Sequence, residues 1–495
     1  MSKVTLIDTT TARTDDHGID ARAVNSKEAR ALYKKREQIY PKLAHGFFRN
    51  LKWAAMIVLL GIYYVTPWLR WYRGDGRADQ AVLVDFAGRR FYFFFIELWP
   101  QEVYYITGLL ILASFAIFLS SALFGRVWCG YACPQTVWTD LYIYVERAIE
   151  GDRNARMKLD KEPWSWAKVS KKLTKHVLWI LIAAATGGAW VFYFGDAPTL
   201  FREIFTGHAD PVVYLFIGVL TFTTYALAGT MREQVCTYMC PWPRIQAAMI
   251  DKDALSVAYR GDRGEPRGPH KKGESWEGRG DCIDCRQCVA VCPQGIDIRD
   301  GDQLECINCA LCVDACDEIM KKVGRPIGLI AYDSYANLDR RKQGKPGRYK
   351  LIRPRTILYG ALLAFVAGLM IYGLATRQTL DLNVIRDRSP PFVRLADGGM
   401  RNDYALKLIN MTDRPRRLQI EVEGPAGVRL LAPALAVGGA FIAEANADSV
   451  TNVRVHVVAP TTIGAGSHGL RFTVRDVETG DVADSDSAFL AGAAP

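Results

Sequence analysis

The spacing of the cysteines constrains this chain more than any other feature. Cys282-x2-Cys285-x2-Cys288-x3-Cys292 is followed by Pro293, and Cys306-x2-Cys309-x2-Cys312-x3-Cys316 repeats the run with Asp317 where the proline would stand. Three thiols spaced by two residues wrap a tight loop around one face of a four-iron cube, and the fourth cysteine of each run reaches the other cluster. The spacing therefore predicts two [4Fe-4S] clusters. One is held by Cys282, Cys285, Cys288 and Cys316, the other by Cys306, Cys309, Cys312 and Cys292. Zinc knuckles also use closely spaced cysteines, but a four-ligand ion has no use for a three-plus-one spacing. Asp317 bears on turn stiffness and polarity more than on ligation.

The other four of the 12 cysteines form two matched pairs, Cys129-Gly-Tyr-Ala-Cys133-Pro134 and Cys236-Thr-Tyr-Met-Cys240-Pro241. Each pair follows an apolar stretch that ends in glycine and arginine, Gly125-Arg126 and Gly229 with Arg232, so stretch plus motif reads as an internal repeat. In a helix, positions i and i+4 share a face and would present both sulfurs together, while the proline opens a following segment or breaks the present one. Two facing pairs would offer four soft ligands suited to Cu(I), zinc or an iron-sulfur centre, and Met239 could add a thioether. Three readings stand side by side: a copper site or redox-active thiols passing electrons to a metal, a further metal or cluster site, and structural buried cysteines. Thiols gathered in tight groups, with none scattered, indicate metal or redox binding in a reducing compartment instead of a secreted disulfide framework.

Crossing the hydrocarbon core takes about 20 mainly apolar residues. Five stretches meet that length, at 51–69, 104–124, 177–194, 212–229 and 356–375. A shorter apolar run, 91–99, contains Glu97 and suits the headgroup level. Lys34, Lys35, Arg36, Lys42 and Arg49 precede the first span, and Arg126, Arg147, Arg153, Arg156, Lys158, Lys168, Lys171, Lys172 and Lys175 lie between the second and third, which places both segments in the cytoplasm. The first outer loop goes against this rule with Arg70, Arg73, Arg77, Arg89 and Arg90. The first fifty residues are polar and carry no signal peptide, so the first apolar run is a retained anchor. A net charge of +10 resides in loops beside apolar runs without an interleaved aromatic platform, which argues against a nucleic-acid partner. No nucleotide-binding glycine motif is present, and His45, His176 and His208 lack the pairing that haem needs.

Beyond about Asp381 the pattern changes to period two, in Tyr404-Ala-Leu-Lys-Leu-Ile, Leu418-Gln-Ile-Glu-Val-Glu, Val453-Arg-Val-His-Val-Val and Leu470-Arg-Phe-Thr-Val-Arg. Turn residues between the runs predict a small antiparallel sandwich of immunoglobulin-like size. The expected fold is a five-span α-helical membrane bundle with a cytoplasmic bacterial-type two-cluster ferredoxin insert and a C-terminal immunoglobulin-like sandwich. Its divisions are a variable cytoplasmic segment 1–50, four spans over 51–230, a cytoplasmic segment 231–355 with the ferredoxin at about 275–325, a fifth span 356–376 and a periplasmic domain 377–495. The stretch 260–280, rich in Gly, Arg and Lys, reads as a mobile linker.

Trp128-Cys-Gly-Tyr-Ala-Cys-Pro-Gln-Thr-Val-Trp138, Cys240-Pro-Trp-Pro-Arg244, both ferredoxin runs and Leu382-Asn-Val-Ile-Arg-Asp-Arg388 together resemble the FixG/CcoG/RdxA family of accessory proteins for cbb3-type cytochrome c oxidase assembly. The resemblance implies a protein of the bacterial inner membrane that reduces Cu(II) to Cu(I) for maturation of the oxidase copper centre. It makes the eight ferredoxin cysteines the electron relay and Cys129, Cys133, Cys236 and Cys240 the copper-facing thiols. Implied partners are membrane lipid, oxidase subunits, copper-delivery proteins and an unidentified electron donor, with homo-oligomerisation left open. Two other functions compete: a quinol-linked electron-transfer subunit, similar to the membrane ferredoxins of periplasmic nitrate reduction, and an assembly scaffold whose clusters are structural.

Overall fold

The computed structural model describes residues 18–25, 37–74, 77–271, 273–412, 414–432, 436–437 and 440–492. Lys34, Lys35 and Arg36, counted above as cytoplasmic charges, lie outside them. The chain divides into two compact units, Met1–Met370 and Ile371–Pro495.

The first unit is mainly helical. In chain order it contains α1 (Phe47–Val65), α2 (Tyr104–Phe124), α3 (Val127–Tyr131), α4 (Pro134–Glu150), α5 (Arg153–Lys161), α6 (Trp166–Val191), α7 (Ala197–Thr206), α8 (Pro211–Thr224) and α9 (Trp242–Met249). Helix α8 runs on as a π-helical segment, Tyr225–Met231, and a second such segment spans Val235–Met239. Among the described residues four helices are long and apolar enough to cross a membrane: Phe47–Trp68, Pro100–Phe124, Pro211–Met231 and Pro354–Ala375. The expected span at 177–194 occupies the apolar second half of α6. The first half of that helix carries lysines that bury against carboxylates: Lys175 pairs with Glu150 at 2.9 Å and Lys172 with Asp160 at 2.6 Å. A helix that is half charged fails as a continuous apolar stretch, so length and composition do not confirm a five-span count.

The short run at 91–99 is a hairpin. Val82–Asp85, Arg90–Phe93 and Ile96–Leu98 form an antiparallel three-stranded sheet. That sheet and its neighbours occupy three of the five arginines that go against the charge rule. Arg90 pairs with Glu97 at 2.7 Å, Arg70 contacts Asp79 and Asp196 at 2.6 Å each, and Arg73 donates to the carbonyls of Ala78, Gln80, Ala81 and Phe94. The Arg70–Asp196 pair also ties this loop to the one before α7, so both connections share one end of the helices.

The ferredoxin segment is closed by an antiparallel pair, Ser256–Tyr259 with Ile330–Asp333. Its core gathers Ile283, Val289, Ile298, Val313, Ile319 and Met320 around the thiols. Residues 260–280 differ from a mobile linker. Arg263 pairs with Asp281 at 2.5 Å, Gly268 N donates to Cys282 O at 3.1 Å, and the Arg325 guanidinium stacks 4.8 Å over Trp276. A composition rich in Gly and Arg is here a wrapping strap, because the arginines find acceptors on the domain that they cover. From the other end of the chain, Ile19 N donates to Cys285 O and Val24 N to Gly295 O, so the N-terminal segment lies against the same domain.

In the second unit the four alternating runs fall within strands Met400–Asn410, Arg416–Glu423, Ser449–Ala459 and Gly466–Asp476. They belong to two five-stranded sheets. Inward positions fill a core with Tyr404, Leu406, Leu408, Val455, Val457, Phe472 and Phe489, none more than 1% exposed. Each large side chain so buried contributes roughly 1.5–3 kcal/mol of transfer free energy.

Candidate electron-transfer site: two cluster cradles and a four-thiol cavity

The two cysteine runs fold alike. In each, the residues flanking the second cysteine take left-handed backbone conformations: Asp284 (φ 52°) and Arg286 (φ 57°) around Cys285, Asn308 (φ 52°) and Ala310 (φ 57°) around Cys309. Non-glycine residues rarely adopt these angles, and the same strain at equivalent places in both runs marks loops bent around an object. Cys282, Cys285, Cys288 and Cys316 line one small cavity. Cys292, Cys306, Cys309 and Cys312 line a second, on whose wall Cys288 also stands. The sets brought together are thus the two sets read from the spacing, with the fourth cysteine of each run crossing over.

Burial raises the thiol pKa values in both cradles, for Cys292 to about 11 and for Cys306 to about 12. Buried thiols of this kind stay neutral until a metal replaces the proton. Soft, dry four-thiol sets on strained loops fit [4Fe-4S] clusters. Arg299 stands at the rim of the first cradle, with Nη1 4.0 Å from the Cys282 sulfur and ion pairs to Asp284 (2.7 Å) and Asp297 (2.6 Å). The Asp317 exchange has a structural reason. Cys316 and Asp317 lie inside the helix Leu311–Lys322, which a proline would break, and Asp317 Oδ1 accepts from Gly328 N at 2.7 Å.

The paired motifs meet beside the second cradle. Cys129, Cys133, Cys236 and Cys240 line a cavity of about 370 Å³ together with Cys306, Arg126, Trp128, Trp242 and Glu305. An expected i, i+4 helical face does not bring the sulfurs together. Cys129 lies in α3 and Cys236 in a π-helical segment, but Cys133 (φ −61°, ψ 127°) and Cys240 (φ −80°, ψ 121°) are extended residues that end those turns. The proline after each excludes the helical conformation at the residue before it. Pro134 then opens α4, with Cys133 at its N-cap.

Burial pushes the Cys129 and Cys236 thiols up to about 12. Cys133 is also raised by burial, less so because the backbone N–H groups of Thr136 and Gln135 favour its thiolate. Among the described residues no three His, Cys, Asp or Glu side chains gather closely enough to hold one metal ion. This is true of the ferredoxin sets as well as of the four thiols, so a single ion in the cavity would draw its ligands inward.

Two residues, one behind the Cys129 thiol and one on the cavity wall, are not marked as site residues by the sequence. Gln246 of α9 is fully buried, accepts from the Cys129 thiol at 3.0 Å and donates to Ser121 Oγ at 3.2 Å, linking the two halves of the repeat. Nothing but a polar residue on a short helix signals it. Arg126 lies on the wall nearest Cys306 and donates to the Cys306 carbonyl at 3.3 Å. The contact between first motif and second cradle is close. A methyl group on Gly130 would lie 2.6 Å from Ile307 O and 3.1 Å from Cys309 Cα, and Tyr131 Oη donates to Cys309 O at 3.1 Å.

Comparison with known proteins agrees with this organisation. A family model described as a 4Fe-4S dicluster domain matches residues 231–335, one described as a 4Fe-4S binding domain matches 106–150, and one described as the IG-like fold at the C-terminal of FixG matches 370–492. The nitrogen fixation protein FixG of Rhizobium meliloti is 50% identical over 473 residues, 89% of this chain and 90% of its own length. The chain belongs to the FixG family. RdxB and RdxA of Cereibacter sphaeroides, at 50% and 51% identity over 93% and 87% of this chain and 97% and 91% of their own, are further relatives of this FixG-family protein. A crystal structure of a FixG-related protein from Vibrio parahaemolyticus aligns with 23% of the chain and 96% of its own length, at 21% identity and a TM-score of 0.20. The FixG-family chain is therefore an iron-sulfur protein with an immunoglobulin-like C-terminal domain.

Proposed function

We propose that the chain is a membrane-bound electron-transfer protein that reduces Cu(II) to Cu(I) at the four-thiol cavity and acts in assembly of a cbb3-type cytochrome c oxidase. The observation that carries this reading is Cys306, which lines both the second cradle and the four-thiol cavity. Cys306, with its neighbour Ile307, is the common wall between a relay site and a soft-metal site. Bound [4Fe-4S] clusters supply reversible one-electron chemistry. The protein's own residues do the rest. Tyr131 and Arg126, bonded to the carbonyls of Cys309 and Cys306, fix the separation of the two sites. Copper is the substrate: one electron converts Cu(II) to Cu(I), and sulfur ligands hold the cuprous product in preference to the cupric reactant.

Membrane placement belongs to the same reading: five spans with α6 as the third, N-terminus and ferredoxin inside, and the sandwich outside as a docking domain for oxidase subunits or copper-delivery proteins. It is supported by the N-terminal segment lying on the ferredoxin domain and by the Arg70–Asp196 pair joining the two connections assigned to the outside. A second reading, a further iron-sulfur cluster on the four thiols, is favoured by the 4Fe-4S family match over residues 106–150. Replacing Cys129, Cys133, Cys236 and Cys240 together with serine separates the two. Copper binding lost at a constant iron content of about eight per chain supports the copper site, whereas a fall from about twelve iron atoms to about eight supports the third cluster. Copper binding unchanged by the four substitutions removes the copper site.

A further inference from the structure

The helix Pro354–Ala375 is preceded by a one-sided stretch of charge: residues 340–355 hold eight arginines and lysines and no acid. Four of these cations serve the fold. Arg341 pairs with Asp333 and Arg353 with Asp251 at 2.5 Å, while Arg355 donates to Met249 O at 3.2 Å and Arg340 to Pro346 O at 2.9 Å. The other four, Lys342, Lys345, Arg348 and Lys350, are exposed and form no ion pair among the described residues. The backbone that carries them is pinned. Arg348 N donates to the side chain of the buried Asn337 at 2.6 Å, and Arg353 also donates to Ala122 O in the last turn of α2. The charges are thus presented from a folded edge, not from a loose tail.

Next to these cations stand apolar side chains that a water-facing loop has no use for: Tyr349 is 53% exposed, Leu351 46% and Ile352 85%. A single exposed apolar residue needs no explanation, but three within four positions at the border of an apolar helix do. Positive charge alone is what any loop beside a span carries. Cations joined to apolar side chains match the two layers of a membrane interface, anionic headgroups above and acyl chains below. The depth agrees as well. Ile352 stands two residues before Pro354, at most about 7 Å of chain, which is about one headgroup layer.

We propose that residues 342–352 form a docking surface for anionic phospholipid headgroups. Lys342, Lys345, Arg348 and Lys350 meet the lipid phosphates, and Tyr349, Leu351 and Ile352 enter the adjoining acyl boundary. A soluble polyanion would use the cations and leave the three apolar side chains in water, so lipid is the occupant that the surface fits. This goes beyond the electron-transfer reading and needs from it only that the helix Pro354–Ala375 crosses the membrane.

The test uses the purified full-length protein with its clusters in neutral detergent. It is titrated with fluorescent phosphatidylglycerol and, separately, with fluorescent phosphatidylcholine, and binding is read by anisotropy. Phosphatidylglycerol is expected to bind preferentially. One cation near an anionic headgroup is worth about a fivefold factor, so Lys345→Gln, Arg348→Gln and Lys350→Gln together are expected to weaken its binding roughly hundredfold. Phosphatidylcholine binding should change little. Leu351→Ser with Ile352→Ser is expected to weaken both lipids several-fold at an unchanged preference. Equal affinity for the two lipids, or a preference that survives the triple substitution, overturns the proposal. Heparin binding that matches phosphatidylglycerol and ignores the Leu351 and Ile352 substitutions also overturns it, in favour of a soluble polyanion. If the variants lose their clusters, the unaltered protein decides alone. Its preference is expected to vanish near 1 M salt, where charges are screened beyond about 3 Å, and a preference indifferent to salt overturns the proposal. None of these substitutions replaces a cluster cysteine or one of the four thiols, so failure here leaves the copper reading standing. A protein that stays in solution without detergent would instead refute the membrane placement.

Discussion

Glu146→Gln perturbs the joint between the two halves of the repeat. Glu146 lies on α4, directly after the first motif, and is 1% exposed. Its carboxylate pairs with Arg232 and Arg156 at 2.9 Å each and with Lys175 at 3.4 Å. Lys175 keeps Glu150 as a second partner at 2.9 Å, but Arg232 has no other ion pair among the described residues. Removing one member of a buried pair costs about 3–5 kcal/mol, since the remaining charge stays uncompensated. The carboxyl pKa gives a similar figure. Burial raises it, yet the surrounding cations, Arg232 foremost, outweigh burial and hold it at about 2 against an ordinary 4.5. That difference corresponds to about 3 kcal/mol favouring the ionised form. Because the folded value lies below the unfolded one, the contribution is complete above about pH 4.5 and is lost as pH falls through about 2.

All 12 tryptophans precede Ile371, so tryptophan fluorescence during thermal unfolding in detergent reads the first unit without the sandwich. The variant is expected to melt several degrees lower at pH 7, and to lose less additional stability than the unaltered protein as the pH is brought down from 4.5. A loss below about 1 kcal/mol would show instead that these charges behave as a solvated surface network.

Two further substitutions probe the cradles. Gly130→Ala places a methyl group against the backbone of Ile307 and Cys309, which cannot rotate away, so a destabilisation of about 1–3 kcal/mol with a lower iron content is expected. An alanine variant with full iron content and unchanged melting would contradict the close contact. Asp317→Pro restores the ferredoxin-like proline inside the helix Leu311–Lys322 and is expected to cost about 3 kcal/mol or more, with a lower iron content. Retention of the full visible absorbance on this substitution would argue against the helical placement.

Features set by local pattern were legible in the sequence. Cysteine spacing carried the two cradles because ligation at one loop depends on neighbours a few residues apart, and period-two runs carried the sandwich strands because alternation is itself the record of one buried face. The sequence misled where two local rules compete. At Cys133 and Cys240 helical spacing suggested a shared face, but the following proline imposed an extended backbone. At 260–280 a linker-like composition concealed Arg263 and Arg279, whose acceptors are distant in sequence or on the folded strap. Arg126 and Gln246 were not legible as site residues because their meaning comes from tertiary neighbours, Cys306 and Cys129, that lie far along the chain.

Electrons held by this protein are proposed to pass to copper. Dithionite-reduced protein, freed of excess reductant and mixed anaerobically with Cu(II) in a stopped-flow spectrometer, tests it most directly. The account predicts recovery of the oxidised visible absorbance with one Cu(I) formed per electron lost, and a large loss of rate when Cys129, Cys133, Cys236 and Cys240 are serine. Reduced protein that stays reduced in the presence of Cu(II), yet is rapidly oxidised by a quinone analogue, would contradict it.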